Sequence, residues 1–169
     1  MRPCGTDCRN LRLFHHIPGC GRSFRGKKDA GRPALKTCEY PAIQENLRPV
    51  LSLLSEEMIA CGTQTTVRQK IFIILEELFF NAVEHAYANA PAPGPVRVTL
   101  VADMDAADLV VEDRGTPFNP LEVDDTDRLK NLATLTEGHA GIFLVKTLAT
   151  SLDYSYENGW NRIRVLVSD

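Results

Sequence analysis

A chain of 169 residues with 44% hydrophobic and 24% charged side chains can close a core without disulfide or metal staples. Its formal net charge of -3 supplies no basic field for nucleic acid, and no apolar run approaches the roughly 20 residues of a membrane helix. No apolar stretch follows Arg2, and five cysteines is an odd number, so the expectation is a cytoplasmic, reducing setting without a disulfide framework.

Residues 1–34 are basic, from Arg2 to Arg32, with scattered Gly and Pro and no sustained periodicity, and they read as a poorly ordered tail. Folded structure is expected from residue 35. A strand at 35–40 is closed by Pro41. A helix follows over 45–60, with Leu47, Val50, Leu51, Leu54 and Met58 at helical spacing and Gly62 as its stop. Thr65 or Thr66 caps a second helix that runs to about residue 88. Strands at 96–101 and 109–112 come next, then a polar stretch over 114–137, a helix over 141–150, and a hairpin of 154–156 and 162–167 turning at Asn158-Gly159. The order β-α-α-β-β-loop-α-β-β predicts an α+β two-layer sandwich, a mostly antiparallel mixed sheet with helices on one face.

Three segments of this chain carry chemistry. With Glu77 at zero on a helical wheel, Lys70, Asn81, Glu84 and Ala88 fall within about 40° of it and His85 near 80°. This polar stripe lies on a helix otherwise full of Phe, Ile and Leu. A solvated face explains a stripe by itself, but Glu77 and Asn81 are one turn apart and able to share a cation. The second segment is Glu112-Asp113-Arg114-Gly115-Thr116-Pro117-Phe118, where a strand ends in Asp-x-Gly. Its carboxylate can face a loop and accept a hydrogen bond from the amino group of a base, although such a turn is common. The third is Gly138-His139-Ala140-Gly141, leading into a helix whose free N–H groups suit phosphate oxygens. It is not a Walker loop.

Taken in order, Glu-x-x-x-Asn-Ala-x-x-His-Ala, Asp-x-Gly-x-Pro-Phe-x-Pro and Gly-x-x-Gly-Ile-x-Leu-Val-Lys resemble the GHKL (Bergerat-type) ATPase superfamily. Within it they are most like the anti-sigma-factor serine/threonine kinases. The likeness covers residues 35–169 and implies an ATP-binding kinase domain there. It implies Glu77 as general base toward a substrate hydroxyl, Asn81 as the Mg2+ ligand, and Asp113 as the reader of the adenine amino group. Gly115 would let the loop approach the base, Gly138 and Gly141 would lie beside the phosphates, and residues 119–137 would form a lid. The implied cofactors are ATP and Mg2+. The implied partners are an anti-anti-sigma (STAS-type) protein as substrate and a sigma factor to be sequestered, with a homodimer left open and no nucleic acid or membrane.

Two positions depart from the superfamily pattern. His139 stands where a second glycine is usual, and Pro117 replaces another, though the latter suits the small kinase branch. Arg128 and Lys130 are candidates for the terminal phosphate or are plain solvated charges, and Glu76 is a reserve for Glu77. A nucleotide-binding regulatory module without kinase activity stays as the alternative. A histidine-kinase fragment fits less well, because the tail offers no phosphoacceptor helix. Cys4, Cys8, His15 and Cys20 only loosely match a zinc site. Cys38 and Cys61 read as small buried hydrophobes, and Trp160 as core or sheet cover.

Overall fold

A computed structural model of the protein describes residues 34–122 and 140–169. The expectations placed on the tail and its zinc ligands, on Arg128, Lys130, Gly138 and His139, and on most of the lid lie outside the described residues.

The elements run β1 (Ala34–Pro41), α1 (Leu47–Ala60), α2 (Thr65–Asn81), β2 (Pro95–Ala102), β3 (Ala106–Asp113), α3 (Ala140–Leu148), β4 (Ser151–Glu157) and β5 (Trp160–Ser168). This is the order expected from the sequence. The strands form one sheet in the order β1-β2-β3-β5-β4, and every neighbouring pair is antiparallel. No parallel pairing occurs among the described strands. Two helices separate β1 from β2, so the chain reverses an odd number of times and returns antiparallel.

One face of the sheet holds the core. Val96, Val98, Leu100 and Ala102 alternate inward along β2, and Val165 and Val167 do so on β5. Against them pack Val67, Ile71, Leu75 and Phe79 of α2, and Leu47, Val50, Leu54 and Met58 of α1. Phe79 is fully buried, so truncating it to Ala costs about 3–5 kcal/mol. None of the helices among the described residues is long and apolar enough to cross a membrane.

The boundaries have local causes. At the end of α1, Gly62 takes a positive φ of 76°, its N–H reaches Ile59 O, and Thr63 N–H reaches Met58 O. This pair of bonds is a Schellman stop. At the β4–β5 turn Asn158 and Gly159 have φ of 54° and 77°, the positive pair that a type I′ hairpin requires. The start of α2 corrects the expectation of a threonine cap. Gln64 is the capping residue and makes no side-chain cap bond. The threonine hydroxyls are engaged elsewhere: Thr66 donates to Asp169 and Thr65 accepts from Arg68.

Of the two cysteines expected inside, Cys38 is buried. Cys61 is only half-buried, with its Sγ near the Thr63 hydroxyl and Met58 O, because it caps α1 at the surface. Trp160 is sheet cover. It lies half-buried at the start of β5, with the guanidinium groups of Arg97 and Arg114 4.2 and 4.4 Å from its ring centre.

Candidate functional site

Helix α2 supplies the first two side chains. Glu77 is half-buried, and Asn81 ends the helix one turn later. Burial raises the Glu77 carboxyl above its ordinary range, and the like charges of Glu76 and Glu84 push in the same direction. The Asn81 amide nitrogen is buried without a hydrogen-bond partner, a state it shares with only Arg68 Nε among the described side chains. Buried polar atoms rarely go unpaired. Because either end of the amide can face a ligand, Asn81 offers a group that awaits one. Glu76 is exposed and lines a shallow groove with Leu51 and Phe72 between α1 and α2.

The helix does not continue regularly to residue 88. Residues Ala82–Ala86 widen into a π turn that ends at Tyr87. Such turns recur at functional sites because the extra residue redirects the backbone. Here the turn meets the loop after β3: Ala86 O accepts the Thr116 N–H at 3.1 Å. A Cβ on Gly115 would collide with the Ala86 carbonyl. Glycine is required at 115 by this close approach of two backbones.

Asp113 ends β3 and points to the helix side. Its Oδ1 accepts from Gly115 N–H and from Asn161 Nδ2, each at 2.8 Å. None of the described hydrogen bonds uses its Oδ2. Burial raises the Asp113 carboxyl, while the Asn161 and Gly115 donors pull it back down.

Asn161 was not singled out in the sequence, yet it organises this end of the site. It lies opposite Asp113 in the β3–β5 register and is 3% exposed. Its Oδ1 accepts from the Tyr154 hydroxyl at 2.8 Å and from Phe118 N–H at 3.3 Å. Its Nδ2 also faces the carbonyls of Gly115 and Thr116. The available signal was a polar residue at an inward position of a strand that continues Ile163, Val165, Val167. Only the strand register could tie it to Asp113.

Helix α3 supplies the last element. Ile142 and Val145 anchor it in the core. The first turn then presents Gly141 to α2, where a Cβ would overlap the Glu77 Oε2. The structure thus joins Glu77 to Gly141 and Asp113 to Gly115, with the π turn after Asn81 packed on the Asp113 loop. Among the described residues no group of three His, Cys, Asp or Glu side chains could cage a metal.

A two-layer sandwich with this strand order, and with its polar residues gathered on the helix side, defines an ATPase domain of the GHKL class. The family model described as "Histidine kinase-like ATPase domain" matches residues 40–167, and the chain belongs to that family. Among solved structures, the RsbU and RsbW domains of Rv1364c from Mycobacterium tuberculosis match with a TM-score of 0.56 and 18% identity, over 80% of this chain. The chain spans 32% of that protein's solved length, and the likeness is one of fold. The catalytic domain of histidine kinase ThkA matches with a TM-score of 0.41 and 15% identity, over 79% of this chain and 97% of that one. No curated protein sequence gives a significant match.

Proposed function

We propose that the chain is a cytoplasmic, Mg-ATP-dependent serine/threonine protein kinase of the anti-sigma-factor type. It phosphorylates an anti-anti-sigma (STAS-type) partner and sequesters a sigma factor. The observation that carries this reading is the buried, unpartnered amide nitrogen of Asn81, one helical turn from a half-buried Glu77. The family match and the fold shared with an RsbW-containing protein support it.

Each residue then has a task. Asn81 holds Mg2+, and a single protein oxygen suits an ion that otherwise keeps waters and phosphate oxygens. When bound, Mg2+ neutralises charge on the phosphates. Asp113 keeps Oδ1 for Gly115 and Asn161 and offers Oδ2 to the adenine amino group. Gly115 sets the loop by its tight seat on Ala86. Gly141 lies on the phosphate side, with the backbone N–H groups at the start of α3 facing the phosphate oxygens, and the family resemblance gives Gly138 the same task. Glu77 takes the proton from the substrate hydroxyl, and its raised proton affinity favours that transfer near neutral pH. The partner surfaces, including that of a homodimer, are proposed from the family resemblance alone.

Titration calorimetry with ATP and Mg2+, followed by transfer of labelled γ-phosphate to the STAS-type protein of the same host, tests the reading. Binding and transfer are expected, with transfer lost in Glu77→Ala. No binding sinks the reading. Binding without transfer replaces it with a nucleotide-holding regulatory module.

A further inference from the structure

The loop that carries Asp113 is held by its backbone donors. Gly115 N–H goes to Asp113 itself, while the N–H groups on either side of it go to the end of the π turn. Thr116 N–H donates to Ala86 O at 3.1 Å, and Arg114 N–H donates to the hydroxyl of Tyr87 at 2.7 Å. The same hydroxyl donates to Pro95 O at 2.7 Å, at the start of β2. A phenol suits this place because its oxygen, at the end of a rigid ring, donates and accepts at once. Burial raises the Tyr87 phenol, so it stays protonated and able to donate. The ring occupies the space over Gly94, where any Cβ would run into it. Tyr87 therefore joins three segments: the π turn after Asn81, the first residue of β2, and the residue that follows Asp113.

We propose that Tyr87 is a positioning residue whose hydroxyl fixes the Asp113 loop and so sets how strongly the site distinguishes a purine bearing a 6-amino group from one lacking it. The proposal rests on the reading of Asp113 as the acceptor for that amino group. With Arg114 N–H released, the loop keeps its fold through Thr116 and Asn161, but the Asp113 carboxylate is no longer held at one angle. The hydroxyl itself is engaged by Arg114 N–H and Pro95 O, so its removal acts on the site through the Asp113 loop.

The test is Tyr87→Phe in the full chain, which keeps the ring over Gly94 and removes only the oxygen. Affinities for ATP and for inosine triphosphate are measured with Mg2+ present. ATP binding is expected to weaken about tenfold, the scale of one well-formed hydrogen bond. Inosine triphosphate binding is expected to be unchanged, so the preference narrows. A general loss of structure would weaken both nucleotides together, and that result overturns the proposal, as does an unaltered preference. A wild-type chain with no preference for ATP sinks the reading of Asp113 instead. Amide exchange in the wild-type chain gives a check that needs no variant. Arg114 N–H is expected to exchange slowly despite its exposed side chain, and fast exchange overturns the proposal.

Discussion

The bare Cα of Gly141, in the first turn of α3, lies against the carboxylate of Glu77 on α2 so closely that a methyl group there would overlap Oε2. The carboxyl is the mobile end of its side chain, so Gly141→Ala displaces Glu77 more than it strains the helices. Alanine also favours a helix over glycine by up to about 1 kcal/mol. The thermal midpoint should therefore change little. Phosphoryl transfer to the partner should fall about a hundredfold, as expected when a reacting group is misplaced by about an ångström. Single-turnover transfer beside a melting curve checks both halves, and full transfer would remove Glu77 from the reaction.

Asn161 is buried and engaged at both ends of its amide. Asn161→Ala leaves the Tyr154 hydroxyl and Phe118 N–H without their acceptor and takes one donor from Asp113. The expected loss of stability is about 2 kcal/mol or more. A urea midpoint falling at constant slope measures it. A change below about 0.5 kcal/mol, the range of an ordinary surface substitution, contradicts the role given to Asn161.

The raised Asp113 carboxyl makes a prediction about pH. The folded chain holds this proton more tightly than the unfolded chain does. Stability contributed by the protonated form is present in acid and lost as pH rises through the raised folded value. Asp113→Asn removes that loss. The variant should gain stability on the wild type as pH rises from the ordinary carboxylate range to neutrality, and hold no advantage in acid. It also lacks the Oδ2 acceptor, so ATP binding should weaken roughly ten- to a hundredfold at neutral pH. Melting curves across pH and calorimetry read the two effects separately.

Glu76 is exposed and is the first of the two like charges that raise Glu77. The rate of transfer should climb with pH as Glu77 loses its proton, above the ordinary range of a glutamate. In Glu76→Gln the rise should move to lower pH while the plateau rate stays the same. A profile that does not move in the variant would show that another group limits the rate.

Much of this molecule is legible in its residue pattern. Period-2 alternation in 96–101 and helical spacing in 45–60 identify elements that the structure contains, because each buries one face against a single core. Asn158-Gly159 marks its own turn, since the positive φ pair is a local requirement. The π turn was not legible. Ala82–Ala86 reads as more helix, and the widened turn is seen only where Ala86 and Tyr87 meet the loop after β3. For the same reason the regular helix ends at Asn81 and not near residue 88.

Glu77, Asn81, Asp113, Gly115 and Gly141 are singled out by spacing and resemblance as candidates. What they do to one another was decided by tertiary structure. The sequence by itself determined the elements, their order, the two-layer class and the set of polar residues that resist a purely structural explanation. Only the packed structure brought Asn161 opposite Asp113, left the Asn81 amide nitrogen buried and unpaired, and set Gly141 on Glu77. The two pairings join residues 48 and 64 positions apart. They depend on strand register and helix seating, which the hydrophobic effect fixes through the whole core and no local pattern records.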